Sequence, residues 1–280
     1  MQRDAGDPYT YPGSDVLRNK LGIRDQGALA KVEYEVSKAR LGELREKPIK
    51  GQFDLAHLKA IHAHVFHDVY AWAGEVRTVD ISKDRAHFAR APYIESEGKR
   101  LCAELAREGH LKGLDKPQFV ERLAHHYGEL NALHPFREGN GRSTREFLGQ
   151  LAREAGYELD QTRIDNSKGR WNQAAMQSLH GDLEPIKQIF AESIRPSRAV
   201  DFEKLPETEA LKKHPELAPA YGYMRALDAK AEADGLNVQQ REVVMGRVRE
   251  NVAARIEGGD IPSVAIRDVK QVVTERGPER

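Results

Sequence analysis

Residues 134–145 of this 280-residue chain read His-Pro-Phe-Arg-Glu-Gly-Asn-Gly-Arg-Ser-Thr-Arg, a run with a histidine, a carboxylate, a Gly-Asn-Gly turn and closely spaced arginines. Apolar residues at helical spacing precede and follow it, and they predict one helix that ends near Asn131 and another that begins near Arg142. Pro135 prevents the first helix from continuing. The Gly-Asn-Gly turn is therefore expected at a helix N-terminus, where backbone N–H groups and the helix dipole favour a bound phosphate.

The polar side chains of this run form a set suited to phosphate chemistry. Arg142 and Arg145 are three positions apart on one helix face, so their guanidinium groups can bind neighbouring phosphate oxygens. Glu138 is a candidate ligand for Mg²⁺, which prefers one or two carboxylates together with phosphate oxygens. His134, with an ordinary pKa of about 6.5, is a candidate general base for an attacking hydroxyl. Each residue alone fits a cap, a turn or a surface ion pair, but their combination favours a catalytic site.

The run resembles the signature of the Fic family, His-x-Phe-x-Asp/Glu-Gly-Asn-Gly-Arg-x-x-Arg, and every specified position is met. The similarity extends from about residue 9 to about residue 195. It includes the segment 9–17, Tyr-Thr-Tyr-Pro-Gly-Ser-Asp-Val-Leu, and the segment 70–77, Tyr-Ala-Trp-Ala-Gly-Glu-Val-Arg. The resemblance implies an all-α domain, a Fic-type helical bundle with a short β-hairpin flap.

The same resemblance implies an activity and a role for each residue of the signature. Fic proteins transfer AMP from ATP to a Ser, Thr or Tyr hydroxyl of a target protein, with Mg²⁺ beside the phosphates. By this resemblance His134 is the general base and Glu138 binds the metal. The remaining residues of the signature would hold the phosphates: Gly139, Asn140, Gly141, Arg142 and Arg145.

A β-hairpin is predicted before these helices, at about 76–90. Residues 76–82 are strand-like, with apolar and polar side chains alternating from 79 to 82. Residues 83–85 form a polar tip, and residues 86–89 can return as a second strand. The hairpin resembles the Fic flap, which aligns a target segment by pairing with its backbone. Two roles are open for Phe88, a clamp on a target side chain and a core position. The candidate docking residues are Val79, Ile81, Lys83 and Phe88.

A further helix is expected to begin within residues 167–172, a region from which the family often draws nucleobase contacts. Trp171 is a candidate for stacking on adenine, and Asn172 for a hydrogen bond to its edge. For Trp171 a buried core position is at least as good an interpretation.

Many Fic proteins are held inactive by a helix with the pattern Ser/Thr-x-x-x-Glu-Gly/Asn, whose glutamate pairs with the second signature arginine. Each Glu-Gly or Glu-Asn pair of this chain lacks Ser or Thr at the required position, which is held by Tyr93, Glu104, His134, Gly246 or Ala253. The sequence therefore predicts a separate small antitoxin that supplies an inhibitory Glu to Arg145. Co-purification from the native operon tests this prediction.

Three kinds of function are compatible with the sequence. The first is AMP transfer by a bacterial toxin or effector. The second is another reaction on the same scaffold: transfer of UMP, phosphocholine or phosphate, or removal of AMP. The third is a non-catalytic interaction module. The intact His134 argues against the third, since a decayed site is expected to lose its base first.

Composition narrows the partners and the compartment. Lys plus Arg and Asp plus Glu are equal at 44 each, so no net field favours nucleic acid or an anionic membrane. The single cysteine, Cys102, excludes an internal disulfide and fits a reducing compartment. No stretch approaches the roughly 18 apolar residues of a membrane span, and no signal-peptide core is visible. We expect a bacterial cytoplasmic protein without a membrane span, with secretion into a host or recipient cell left open.

Four histidines, His57, His62, His64 and His67, lie close together in a predicted helix. Three of them, at 57, 64 and 67, fall near one face. No cysteine or nearby carboxylate pair completes a zinc site, so the sequence favours structural roles for them.

The character of the chain changes near residue 198. Residues 1–198 are interpreted as the Fic catalytic domain. Residues 199–280 are interpreted as a helical appendage with helices near 207–234, 238–257 and 263–275, separated by glycines. No chemistry is visible in the appendage, and its apolar positions could pack on the catalytic domain or on a partner.

Overall fold

The computed structural model describes residues 7–83, 86–166 and 168–264, and within these ranges the chain is mostly helical. The chain divides into two compact units. Among the described residues, unit 1 contains those up to 155 together with those from 159 to 194, and unit 2 contains 156–158 and those from 195 onward. The predicted all-α fold class with a short strand pair is confirmed.

Unit 1 is a bundle of α-helices. Its helices are α1 (Gln26–Glu46), α2 (Leu55–Phe66), α3 (Ile94–Arg107), α4 (Lys116–Leu133), α5 (Asn140–Glu154), α6 (Gln161–Asn166), α7 (Lys168–Ser178) and α8 (Glu184–Ser193). In this unit, strands β1 (Ser82–Lys83) and β2 (Ala86–His87) pair between α2 and α3. Strands β3 (Tyr157–Leu159) and β4 (Ile194–Pro196), most of whose residues are assigned to unit 2, form a second pair. Helix α4 packs against α3, α5, α7 and α8, and α2 packs against α1, α3 and α5.

Three of these helices begin at an aspartate cap. The carboxylates of Asp25, Asp54 and Asp115 each accept the backbone N–H three residues later, at 2.7–2.9 Å. Such a cap gives a partner to an N–H group that the helix itself leaves unpaired. The starts of α1, α2 and α4 are thus set by local sequence.

Apolar faces of α2, α4 and α5 form the core that holds the signature loop. Full burial of each such side chain contributes roughly 1.5–3 kcal/mol to stability. The core side chains with no exposed surface include Leu58, Ile61, Val65, Phe119, Leu123, Phe147, Leu148 and Leu151.

The α4–α5 connection is shorter than the sequence predicts. Helix α4 continues past Asn131 to Leu133, and α5 begins at Asn140 rather than near Arg142. The first helix is extended because the N–H of His134 bonds the carbonyl of Leu130 at 3.0 Å, while His134 takes a left-handed φ of 44°. The second starts earlier because the Gly-Asn-Gly turn supplies the cap and the first helical residues themselves.

The structure contains the predicted hairpin, but its first strand is shorter than predicted and begins only at Ser82. Pairing joins Ser82 to His87 and Lys83 to Ala86, so residues 76–81 are not part of the strand. Ile81 still accepts the N–H of Phe88 across the hairpin at 3.4 Å, but the N–H of Arg77 donates to the carbonyl of Pro135 at 2.8 Å. The alternating side chains therefore reflect packing of an extended segment beside the signature loop. Residues 84–85 of the predicted tip lie outside the described residues.

Unit 2 has a core of its own. Its helices are α9 (Ser197–Lys204), α10 (Glu207–Lys213), α11 (Ala218–Ala233) and α12 (Val238–Glu257). The run predicted at 207–234 is broken by a 3-10 turn at Pro215–Leu217, whereas 238–257 forms one helix. The helix predicted at 263–275 falls almost entirely outside the described residues. Buried side chains of the unit 2 core include Phe202, Leu217, Tyr221, Met224, Val252 and Ile256.

The boundary between residues 198 and 199 stays a prediction, close to the point where unit 2 resumes at residue 195. The described part of the chain contains no helix with the length and apolar character that crossing a membrane requires.

Candidate active site

The signature loop is locked by a pair of hydrogen bonds between Phe136 and Asn140. The N–H of Phe136 donates to Oδ1 of Asn140 at 2.8 Å, and Nδ2 of Asn140 donates to the carbonyl of Phe136 at 2.7 Å. Both residues are buried, with Phe136 fully enclosed in the core. The side chain of Asn140 thus shapes the loop, and only its backbone N–H is available to a ligand.

Gly139 and Gly141 meet different surroundings. Gly139 caps α5 with a φ of 81°, and a Cβ there would overlap the ring of Phe66. Gly141 lies in regular helix, and a Cβ there would meet no atom within 4 Å. Since the first turn of a helix leaves its N–H groups without partners inside the helix, this turn has donors on open backbone.

His134 is held at the end of α4 as a neutral base. Its Nδ1 lies 3.2 Å from the carbonyl oxygen of Asn131. A carbonyl only accepts, so Nδ1 carries the proton and Nε2 keeps a free lone pair. Burial lowers the pKa of His134 to about 4, opposed by the bond to Asn131 and reinforced by the charges of Arg77 and Lys83. The imidazole is therefore an unprotonated acceptor at neutral pH.

Phe88 is a core residue that supports this histidine. It is 9% exposed, and its ring stacks on that of His134 with centroids 3.7 Å apart and planes 18° apart. The structure favours the core position over the clamp on a target side chain. The other flap candidates differ in exposure: Val79 and Ile81 are half-buried and Lys83 is exposed on β1.

His62 was missed as a site residue by sequence reasoning. Its Nδ1 accepts the N–H of Gly74 at 2.8 Å, so its Nε2 carries the proton and donates to the carbonyl of Glu138 at 3.0 Å. The ring is fully buried and stacks on Phe136 with centroids 3.8 Å apart. Burial lowers the pKa of His62 to about 4, against the hydrogen bond to Glu138. Its position on the apolar face of α2 was the one signal of burial in the sequence.

Arg77 was also missed, although it is buried with 1% of its surface exposed. Its guanidinium donates to the carbonyls of His134 at 2.9 Å and Leu133 at 3.4 Å, and to those of Val79 at 2.7 Å and Ala89 at 2.5 Å. Burial lowers the pKa of Arg77, but such a group stays protonated at physiological pH. It ties both sides of the flap to His134 and the end of α4.

The two signature arginines have unlike partners. Arg142 donates to Glu33 at 2.5 Å and to Ser37 at 2.8 Å, both on α1. Arg145 donates to Asp165 at 3.0 Å, on α6. The guanidinium of Arg142 thus points toward α1, whereas the sequence predicted that it binds phosphate.

Trp171 is placed in the core, the second of the roles considered for it. It is 6% exposed and meets Tyr127 and Phe190 edge to face, with centroids 5.0 and 5.9 Å away. The guanidinium of Arg145 lies 5.5 Å from the centre of its ring. Asn172, the next residue of α7, is exposed.

Comparison with known proteins agrees with this fold and loop. The profile of the Fic/DOC family matches residues 52–152. "Probable protein adenylyltransferase Fic" of Escherichia coli K12 is 44% identical over 189 residues, which cover 67% of this chain and 92% of that protein. "Protein adenylyltransferase VbhT" of Bartonella schoenbuchensis is 46% identical over 190 residues, which cover 68% of this chain but only 39% of that longer protein.

Solved structures with the same fold include two Bartonella effector proteins. BepC of Bartonella tribocorum, with bound AMPPNP, superposes with a TM-score of 0.64 at 32% identity over 67% of this chain and 96% of that one. An N-terminal Fic domain of Bartonella quintana, with bound ADP, has a TM-score of 0.63 at 30% identity over 69% and 96%. With its complete signature loop, its helical fold and these relatives, the chain belongs to the Fic/DOC family.

Proposed function

We propose that this chain transfers AMP from ATP to a hydroxyl side chain (Ser, Thr or Tyr) of a target protein. The observation that carries the proposal is the fixed tautomer of His134, whose Nε2 is free to accept a proton at neutral pH. Relatives at 42–46% identity are named protein adenylyltransferases. Structural neighbours hold AMPPNP or ADP, which supports nucleotide binding by this fold.

The reaction needs one proton acceptor and a held triphosphate. Nε2 of His134 takes the proton of the target hydroxyl as its oxygen attacks the α-phosphorus of ATP. The bond from the α-phosphorus to the α–β bridging oxygen breaks, pyrophosphate leaves, and AMP stays on the target as a phosphodiester. The N–H groups of Asn140 and Gly141 and the side chain of Arg145 would bind the phosphates, while the N–H of Gly139 is bonded to Glu138.

Glu138 fits the role of a Mg²⁺ ligand. Its side chain is 45% exposed. Its Oε1 accepts the N–H of Gly139 at 2.8 Å, which orients the carboxylate. A single carboxylate combined with phosphate oxygens matches the coordination that Mg²⁺ prefers. When bound, the ion would neutralise charge on the phosphates.

The partners follow from the same site as proposals. The target segment would pair with the flap, with Val79, Ile81 and Lys83 beside it, and Asn172 is the exposed candidate for a contact to adenine. A separate antitoxin would bring its glutamate to Arg145, and the role would be that of a toxin or effector. The weakly held pair of Arg145 with Asp165, whose side chain is 60% exposed, supports such an exchange.

A labelling experiment tests the proposed reaction. The protein is incubated with Mg²⁺ and a bacterial lysate, and with ATP labelled on either the α- or the γ-phosphate. We expect protein-bound label from the α-phosphate alone, and none with Glu138→Ala. Label from the γ-phosphate alone would show phosphate transfer and contradict AMP transfer. Stronger label from α-labelled UTP than from ATP would show UMP transfer instead.

Matched glycine variants test the phosphate cradle. Gly139→Ala is expected to lower the free energy of unfolding by about 2–4 kcal/mol, because its left-handed backbone and the overlap with Phe66 both add strain. Gly141→Ala is expected to raise it by roughly 0.5–1 kcal/mol, as alanine favours helix. The Cβ added by Gly141→Ala would also obstruct the bound phosphate. The affinity of this variant for AMPPNP with Mg²⁺ should therefore fall about 10-fold, the loss in affinity expected when one charge-assisted hydrogen bond is removed.

Urea unfolding and calorimetric titration of AMPPNP measure the two effects. A Gly141→Ala variant that is more stable than the wild type yet binds AMPPNP equally well would exclude this glycine from the cradle.

A further inference from the structure

Glu33 is a buried carboxylate of α1 that lies far from the signature in sequence. It is 9% exposed, and its oxygens accept hydrogen bonds from Nη2 of Arg142, at 2.5 Å, and from the hydroxyl of Tyr70. Burial and the neighbouring Glu33 raise the pKa of Tyr70, so this hydroxyl stays a donor. Because a buried carboxylate is costly without a cationic partner, Glu33 depends on Arg142.

Contacts with both α1 and α2 hold Arg142 in place. Its Nη1 donates to the hydroxyl of Ser37, which is 1% exposed, at 2.8 Å, and its guanidinium lies 4.7 Å from the centre of the Phe66 ring. Nη2 also lies 3.6 Å from Oε1 of Glu138. The positive charge of Arg142 therefore sits between two carboxylates, one buried and one at the proposed metal position.

Arg145 is held much less firmly. Its partner Asp165 has a side chain that is 60% exposed, so water can replace Arg145 at this carboxylate and no buried charge is left unpaired. Arg145 can therefore move to a phosphate at little cost. For Arg142 the same movement would strand Glu33 as an unpaired buried charge.

We propose that Glu33 is a positioning residue of the site, which holds Arg142 as a fixed cation beside Glu138. This inference rests on the proposed function, since Glu138 is taken as the metal ligand. With Glu33 in place, the charge of Arg142 is balanced, and the carboxylate of Glu138 stays available to Mg²⁺. Without Glu33, Glu138 becomes the main partner of Arg142. The guanidinium of Arg142 then competes with Mg²⁺ for the carboxylate of Glu138.

A first experiment needs no nucleotide. Thermal unfolding of Glu33→Gln, Arg142→Gln and the double variant is followed by tryptophan fluorescence, because Trp72 and Trp171 both lie in unit 1. Each single variant should lower Tm, and the double variant should lower it by clearly less than the sum, since neither charge is then left unpaired. Additive losses would overturn the proposal, whether or not the protein binds nucleotide.

A second experiment measures AMPPNP binding by calorimetry across a range of Mg²⁺ concentrations. Glu33→Gln should raise the Mg²⁺ concentration needed for half-maximal binding by about 10-fold or more, as loss of a group supporting a metal ligand does. Binding without Mg²⁺ should change less than about 2-fold. Glu35→Gln, a change on an exposed residue of the same helix, should match the wild type.

The alternative outcomes separate the two proposals. Tighter AMPPNP binding by Glu33→Gln at every Mg²⁺ concentration would show that Glu33 withholds Arg142 from the phosphates as a restraint, and would overturn the positioning role. Unchanged Mg²⁺ dependence would overturn it as well. Failure of the wild type to bind AMPPNP at any Mg²⁺ concentration would instead refute the proposed function, together with the link to Glu138, while the unfolding experiment would still decide the Glu33–Arg142 pair.

Discussion

Replacing His134 with alanine is expected to lower the rate of AMP transfer by about 10²–10⁴-fold, the usual effect of losing a general base. Nε2 of His134 is the acceptor that the fold leaves free, because the carbonyl of Asn131 holds the proton on Nδ1. Affinity for AMPPNP should change little, since the phosphates are expected to be bound by the next helix. Transfer of α-label to protein measures the rate, and calorimetry measures the affinity.

His134→Asn separates chemistry from folding. Asparagine tolerates the left-handed backbone of this position, where φ is 44°, better than alanine does. It should therefore be more stable than His134→Ala and still lose transfer. His87→Ala, on the exposed side of β2, is the matched control and should transfer at the wild-type rate. Activity of either His134 variant within a few-fold of the wild type would refute the assignment of the base.

The pH dependence of transfer should show the buried environment of the base. The pKa of His134 is lowered to about 4, chiefly by burial, so the reactive neutral form is present at higher pH and is lost only as pH falls through about 4. The rate should be nearly flat from about pH 5 to 8, whereas a solvent-exposed histidine would lose half its activity near pH 6.5. A midpoint close to 6.5 would contradict burial of the base in the active protein.

The signature loop could be predicted from the sequence because its residues are contiguous and their types are unusual together. The apolar spacing on both sides also predicted the helices that carry it. The boundaries were off by a few residues because His134 and Gly139 adopt left-handed conformations, and these conformations depend on the contacts of the folded loop. The strand at 76–81 was wrong because its alternation matches a segment lying beside the signature loop, which local pattern does not distinguish from a strand.

Glu33, His62 and Arg77 could not be predicted as parts of the site. Each comes from a different segment, and each acts through tertiary contacts: Glu33 on Arg142, and the other two on carbonyl groups of the loop. In the sequence a glutamate and a histidine on amphipathic helices look like surface or core residues. Only the packing of α1, α2 and the flap around the signature loop shows that these side chains support it.

Arg77→Met is expected to lower the free energy of unfolding of unit 1 by about 3–4 kcal/mol, a large part of the 5–15 kcal/mol typical of a domain. Methionine fills similar space but donates no hydrogen bond, and carbonyl groups on both the flap and the end of α4 would lose their donor. Each buried acceptor left without a partner costs roughly 1–3 kcal/mol, reduced where water or backbone movement reaches it. Urea unfolding followed by the fluorescence of Trp72 and Trp171 measures the loss in unit 1 alone.

Two further variants show whether the loss comes from these buried bonds. Arg77→Lys keeps the charge near the C-terminal end of α4, where a cation is favourable, but one ammonium cannot reach all the carbonyls. Its loss should be about half that of methionine. Arg90→Met makes the same change on a flap arginine whose side chain is 75% exposed, and should stay within about 0.5 kcal/mol of the wild type. If Arg77→Met were as harmless as Arg90→Met, the flap would not be anchored through this guanidinium, and another contact would have to hold it against His134.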